Sequence, residues 1–404
     1  MRGPQRLVFQ TLTAQSTNDI WLHRFAVLTA AATLFLIWMG GLVTSHGVGM
    51  AVPDWPTTYG YNMFFFPFSQ WVGGVFYEHS HRLIASVVGL LTAALAIWAW
   101  VRQSAGRQRW IVLSGIVATL GLMGVRTQTM FVILAIAALA VVVFSLSRAK
   151  VDPQPLRWIA LTAFALVLIQ GVLGGLRVTQ LKDEIGIFHG TLAQIFFALI
   201  CAIAIGTSAR WAKTKIAVYD GGALRYFYLL ATGMIFLQLI LGATMRHQHA
   251  GLAIPDFPLA YGTVWPATDA GSIESYNRAR SEVTALNPIT TSGVLLQMAH
   301  RVNALLVLGV VVFTCVKTVR RFGWDSGFGK GAAFWAGLIV CQAFLGAATI
   351  WTNKAADVAT AHVALGALSL VTGTSLILWA GRCFRHAAPV VEPVGFVNKS
   401  EVPA

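Results

Sequence analysis

The chain has 404 residues, of which 56% are hydrophobic and only 11% are charged, and its mean hydropathy is +0.68. A soluble globular protein would carry about 25% charged residues, so a soluble fold is excluded. Several uncharged stretches reach about 20 residues, the length that crosses a bilayer as a helix and about twice that of a membrane β-strand. The chain is therefore predicted to be an all-α polytopic membrane protein.

Ten transmembrane helices are predicted in chain order. They lie at 25–45, 80–101, 110–126, 130–147, 158–178, 186–208, 226–246, 294–316, 331–352 and 358–381. The third and fourth are short, so a re-entrant hairpin is an alternative there. Either arrangement gives the later helices the same sidedness.

The net charge of +14 does not indicate nucleic-acid binding, because most of the basic residues fall on alternate connections between helices. Arg148, Lys150 and Arg157 share one such connection, and the segment 317–330 is another. Cytoplasmic connections are enriched in Lys and Arg, so the N-terminus is predicted to lie inside. The excess charge therefore mainly encodes topology.

The chain also repeats itself. AVPDWPTTYG (51–60) returns as AIPDFPLAYG (253–262), QGVLGGLR returns as QAFLGAAT, and FHGTLAQ returns as AHVALGA. Residues 110–147 have no counterpart and are interpreted as an inserted helix pair. The predicted architecture is two pseudo-symmetric four-helix bundles plus this insert. Its parts are an inner N-terminal segment (1–24), a first bundle (25–208), a second bundle (226–381) and an inner C-terminal tail (382–404).

Four histidines recur at matching places in this repeat, each at the start of an outside-to-inside helix. They are His81, His189, His300 and His362. Ionisable residues in membrane helices are costly and usually functional, and neutral imidazole is a common axial ligand of haem iron. We expect one pair, His81 with His189, in the first bundle and another, His300 with His362, in the second. An interhelical hydrogen bond is the alternative for any one histidine, and zinc fits less well because no Cys or acidic cluster accompanies the pairs.

One difference between the halves predicts which one reacts. Glu78 lies three residues before His81 on the same helix face, whereas the matching residue in the second half is Gln297. A carboxylate beside an apolar site is costly unless it is paired or does chemistry, so the first half is expected to be the reaction site. Arg82 and Arg301 follow their histidines and are candidates either to bind haem propionates or to snorkel to the headgroups.

These motifs together resemble the haem A synthase family of the aerobic respiratory chain. The resemblance is carried by GGLVTSHGVGMAVPDWPTTYG, EHSHR, QGVLGGLRVT, FHGTLAQ, LQLILGA, AHR and AHVALGA. It implies that His300 and His362, with Arg301, hold haem b. It also implies that His81 and His189, with Arg82, hold the substrate haem O, and that Glu78 is catalytic. The implied reaction oxidises a methyl group of haem O to a formyl group by successive hydroxylation and loss of water.

The resemblance also implies partners and a location. The expected location is the bacterial plasma membrane, with the haem sites toward the outer face and the bilayer and haem O as partners. The farnesyltransferase that forms haem O is a candidate partner, the electron donor is not specified, and self-association is left open. Two features depart from the family: the first outer loop lacks the cysteine pair found in many members, and the insert at 110–147 is additional.

Two other classes were considered. A di-haem b electron-transfer protein of the quinol oxidoreductase type is the main alternative, although such proteins often place two histidines several helical turns apart on one helix and no predicted helix here has such a pair. A transporter built from inverted repeats is disfavoured, because matching helices of the two halves have the same predicted sidedness and the repeat is therefore parallel.

Overall fold

The computed structural model describes residues 19–104, 106–147, 156–214, 222–280 and 287–384. The predicted N-terminal segment and C-terminal tail therefore lie largely outside the described residues. The helices are α1 (Ile20–Ser45), α2 (Gly73–Gln103), α3 (Gly106–Leu120), α4 (Gln128–Ser147), α5 (Leu156–Gln180), α6 (Asp183–Gly206), α7 (Ala209–Lys213), α8 (Gly222–His247), α9 (Ala270–Ala279), α10 (Thr291–Phe322), α11 (Gly327–Trp351) and α12 (Ala356–Cys383).

Within the described residues, nine of these helices are long and apolar enough to cross a membrane, which confirms the all-α polytopic class. One predicted span, 110–126, is not among these nine. It consists of α3, with 15 residues, and a 3-10 turn at Gly121–Gly124. Fifteen residues extend only about 22 Å, less than the roughly 30 Å hydrocarbon core. The helix stops because glycines at 121 and 124 interrupt the apolar run.

Eight helices form two four-membered rings. In unit one, α1, α2, α5 and α6 pack in that cyclic order, and in unit two α8, α10, α11 and α12 do the same. The units meet where α1 and α6 pack on α12 and where α6 also packs on α8. Helices α3 and α4 lie outside unit one and pack on α2 and α5, so the inserted pair leaves the four-helix ring intact.

Each unit has two different ends. The loops at 46–72 and at 248–280 with 287–290 lie at the same end of the molecule, which we call the loop end. The hydrophobic core of unit one, which includes Leu22, Trp100, Leu161 and Ile200, lies toward the opposite end. The core of unit two also lies toward that opposite end, around Tyr228, Trp335 and Val311. The four predicted histidines all lie in the loop-end halves of their helices.

The two loops fold the same way around an aspartate. Asp54 accepts hydrogen bonds from the Tyr59 and Gly60 amides, at 2.7 and 2.8 Å, and Asp256 accepts from the Tyr261 and Gly262 amides at 2.7 and 2.9 Å. In the first loop, β1 (Thr57–Thr58) and β2 (Tyr61–Asn62) pair antiparallel. The second loop has a single bridge at the matching place, Ala260 to Thr263. Asx-type turns of this kind explain why P-D-aromatic-P-x-x-Y-G repeats.

Electrostatics reinforces the first of these turns. Burial alone would raise the pKa of Asp54, but hydrogen bonds from Gly60, Thr57 and Tyr59 outweigh it and hold the pKa below its usual 3.8. A carboxyl group with a depressed folded pKa stabilises the fold at pH values above its unfolded pKa. This contribution is therefore present at neutral pH and is lost as the pH falls through the folded pKa.

The Asp54→Ala variant tests the turn directly. It removes the acceptor for two backbone amides, and charge-assisted hydrogen bonds contribute about 1.5–3 kcal/mol each. We expect the Tyr59 and Gly60 amides to exchange with deuterium about tenfold faster or more, measured by mass spectrometry at neutral pH. Asp256→Ala is the matched control and should accelerate only Tyr261 and Gly262. Unchanged exchange at Gly60 would contradict this account of the loop.

Candidate functional site

The structure brings the four histidines together in two pairs. His81 on α2 and His189 on α6 lie on opposite helices of unit one, and His300 on α10 and His362 on α12 lie on opposite helices of unit two. Each pair spans one four-helix ring. The imidazoles lie between about 9 and 14 Å along the helix axis from the helix start, slightly deeper than predicted for α2 and α10, because these helices begin in the polar segments that precede the apolar runs.

The four imidazoles are unsatisfied. In each ring the Nδ1 atom is buried without a hydrogen-bond partner, and no described residue hydrogen-bonds to any of the four rings. Buried polar groups are nearly always paired, and each exception needs an explanation. The described residues therefore do not show the interhelical hydrogen bond that was the alternative role for these histidines. Two facing imidazoles per bundle fit the donor set of a haem iron held by two axial histidines.

A glycine on the neighbouring helix lies against each ring. A methyl group added at Gly40 would be 3.1 Å from His81 Cε1, and one added at Gly174 would be 3.3 Å from His189 Cε1. In unit two, the corresponding distances are 3.3 Å from Gly242 to His300 Cε1 and 3.2 Å from Gly346 to His362 Cε1. Sequence reasoning did not identify these glycines as contacts of the histidines. Their recurrence, one per histidine, is the signal that could have identified them.

Three of the four histidines are also clamped through their backbone. The Nε2 atom of a glutamine four residues before the glycine donates to the histidine carbonyl, from Gln170 to His189, from Gln238 to His300 and from Gln342 to His362, at 2.9–3.0 Å. In helix α1 the residue four positions before Gly40 is Leu36. Among the four, His81 therefore lacks the glutamine clamp.

Glu78 and Gln297 hold the two loops in equivalent ways. The Val52 amide donates to Glu78 Oε2 at 2.8 Å, and the Ile254 amide donates to Gln297 Oε1 at 2.7 Å. The amide of Gln297 also donates to the Ile254 carbonyl at 3.2 Å. Glu78 instead forms a buried ion pair with Arg82, with 2.8 Å between Oε1 and Nη2. Anchoring the loop therefore needs no charge, yet Glu78 has one.

Arg82 and Arg301 point into the loops. Arg82 donates to the carbonyls of Val52, Asp54 and Thr57 at 2.7–3.1 Å. Arg301 donates to the carbonyls of Asp256 and Leu259 at 2.6 and 2.8 Å. Neither guanidinium snorkels away from the fold. Contact with a haem propionate stays a prediction for both, since their observed hydrogen bonds go to the protein backbone.

Comparison with known proteins agrees with this geometry. The family model described as COX15-CtaA, cytochrome oxidase assembly protein, matches residues 126–374. That range is more than half of the chain. The chain belongs to this family.

Curated relatives extend the similarity over both units. The chain is 22% identical to Heme A synthase of Geobacillus kaustophilus over 84% of its own length and 86% of the relative. It is 23% identical to Heme A synthase of Shouchella clausii, over 83% and 88% of the two chains. For the Bacillus licheniformis Heme A synthase the identity is also 23%, over 84% and 90%.

The glycine contact can be tested at His362. In Gly346→Val the added side chain should displace the His362 imidazole from its position. We therefore expect the purified protein to lose both bound haem and the absorption spectrum of a low-spin haem with two histidine ligands. Gly337→Val on the same helix is the matched control, because nothing lies within 4 Å of a side-chain carbon added there. Equal haem content in the two variants would show that the glycine has no part in placing the ring.

Proposed function

We propose that the chain is a haem A synthase, an oxidoreductase that converts a methyl group of haem O to a formyl group by successive hydroxylation and loss of water. The observation that carries this proposal is the set of four unsatisfied imidazoles, arranged as one pair in each unit of a membrane-embedded bundle. Family membership supplies the reaction. Haem supplies the redox chemistry when bound, and the protein sets its orientation and potential.

The two units are assigned different roles. His81 and His189 hold the substrate haem O, while His300 and His362 hold a resident haem b. Two asymmetries support this division. Among the described residues, the helix position three residues before the first histidine of each pair carries a carboxylate in unit one, Glu78, and an amide in unit two, Gln297. Only His81 lacks the glutamine clamp, which suits a site that must accept a substrate and release a product, whereas both ligands of unit two are clamped.

Glu78 is the proposed catalytic residue. It lies about one turn from His81 toward the loop end, and its neutral counterpart Gln297 anchors the same loop position without a charge. Its carboxylate is held by the Val52 amide and by Arg82, so it is fixed in place rather than free to rotate. A carboxylate so placed can take and return protons at the oxidised carbon and help the twice-hydroxylated carbon to lose water.

The loops complete the two sites. Arg82 and Arg301 contribute to the haem sites indirectly, because each arginine holds a loop at its site. Arg82 belongs to the haem O site and Arg301 to the haem b site. The loop end is assigned to the outer face of a bacterial plasma membrane. This orientation is supported by the basic residues at the opposite helix ends, Arg102, Arg210, Lys317 and Arg382 among them, as expected of the inner side.

Haem content distinguishes the two units. His300→Ala should lose the resident haem b, because an axial ligand is removed from a permanent site. His81→Ala should retain it and lose substrate occupancy or turnover. The measurement is haem type and amount in the purified chain after co-expression with a source of haem O. Equal loss of one resident haem in both variants would contradict the division, and two unchanged b haems with no haem A would favour an electron-transfer protein.

The Glu78→Gln variant separates anchoring from chemistry. The amide can still accept from the Val52 N–H, as Gln297 does from Ile254, so the loop and the haem b content should be preserved. General acid–base groups contribute about 10²–10⁴-fold to rate, and we expect haem A formation to fall by at least about 100-fold. Undiminished haem A formation would reduce Glu78 to a loop anchor. The reciprocal change in unit two, Gln297→Glu, is expected to leave haem A formation unchanged.

A further inference from the structure

Two arginines lie where the two units meet, and the proposed reaction does not use them. Arg177 on α5 follows Gly174 by three residues, and Arg246 on α8 follows Gly242 by four. Each is therefore displaced by about 4.5–6 Å toward the loop end from a glycine that contacts an imidazole. Both belong to the membrane-spanning helices, where a guanidinium is costly and usually functional.

The Arg177 guanidinium has hydrogen-bond donors without an acceptor among the described residues. Its Nε atom is buried without a partner, and no residue in the described part of the chain accepts a hydrogen bond from it. The guanidinium fits against two glycines: a methyl group at Gly49 would lie 2.6 Å from Nη1, and one at Gly186 would lie 2.9 Å from Nε. Gly186 precedes His189 by three residues on α6, so Arg177 lies about one helical turn from a histidine of unit one.

Arg246 crosses the junction. It donates from Nη2 to the Gly41 carbonyl at 2.8 Å and to the Ser45 hydroxyl, both on α1 of unit one. Ser45 in turn hydrogen-bonds Thr360 of unit two at 3.1 Å. Arg246 acts electrostatically on His362. It therefore lies between the units and beside the second histidine pair.

Neither charge is neutralised by a contacting acid. Among the described residues, no carboxylate oxygen lies within 4.0 Å of either guanidinium, although Asp183 and Glu78 act on Arg177 from farther away. Glu78 is already bound by Arg82, and Asp183 lies 3.8 Å from His249. Arg177 and Arg246 also repel each other. Two such cations in a low-dielectric site are stable only with anionic partners.

We propose that Arg177 and Arg246 form a carboxylate-binding site that receives haem propionates, Arg177 from the haem of unit one and Arg246 from the haem of unit two. The proposal rests on the proposed function. Guanidinium groups bind carboxylates through charge-assisted, often bidentate hydrogen bonds. The site explains the unpartnered donors of Arg177, compensates both charges and orients each porphyrin with its propionates toward the loop end.

The test compares a haem with its own ester in the purified full-length chain. Iron protoporphyrin IX carries two propionates, and its dimethyl ester carries none that is charged. Binding of each to the haem-depleted chain is measured by absorbance titration, with Arg177→Gln in the His300→Ala background and Arg246→Gln in the His81→Ala background, so that one histidine pair is measured at a time. We expect each glutamine to weaken binding of the free acid by about tenfold or more and to leave binding of the dimethyl ester unchanged.

Controls keep the result interpretable. Arg177→Lys keeps the positive charge and should restore part of the preference for the acid. Equal weakening of acid and ester in Arg177→Gln and Arg246→Gln, or no weakening, would overturn the carboxylate site alone. Failure of the parent chain to bind either compound would overturn the proposed function and the carboxylate site with it.

Discussion

The structure depends on placing an unpaired imidazole inside an apolar helical bundle four times. A polar ring in this setting costs free energy unless it binds something, and no described residue hydrogen-bonds to these rings. The neighbouring features follow from that requirement. A glycine lets each ring lie close to the next helix, a glutamine holds three of the histidine backbones, and a loop built on an aspartate lies at the same end of the bundle.

Repetition of one scaffold provides two similar histidine pairs, and small differences distinguish their surroundings. The loop residues Val52 and Ile254 are held alike, once by a carboxylate and once by an amide. The first arrangement introduces a buried ion pair, which costs desolvation that a neutral amide avoids. Retaining this ion pair in unit one alone is consistent with a use for the charge beyond holding the loop. The missing glutamine at Leu36 makes the same unit the less constrained one.

Much of this could be predicted from the sequence because the relevant signals are local. Apolar run lengths, basic connections and repeated motifs predicted the helices, the insert and the two histidine pairs. What could not be predicted depends on contacts between helices. The glycine against each ring, the glutamine donor to three of the histidine carbonyls and the position of Arg177 require knowing which helix faces meet. Arg82 was predicted to reach a propionate or the headgroups, because sequence alone does not show that loop carbonyls lie closer. Helix α3 was predicted too long, because glycine 121 was read as part of the span.

The packing of the units also brings the two histidine pairs close to each other. The junction is formed by α6 and α12, with α1 and α8 beside them, so His189 and His362, one ligand from each pair, lie on helices that touch. His81 and His300 lie on the helices farther from the junction. The two histidine pairs are therefore adjacent across a single helix–helix contact, and beside it Arg246 of α8 joins the units by donating to α1. This packing makes the second unit a close neighbour of the first.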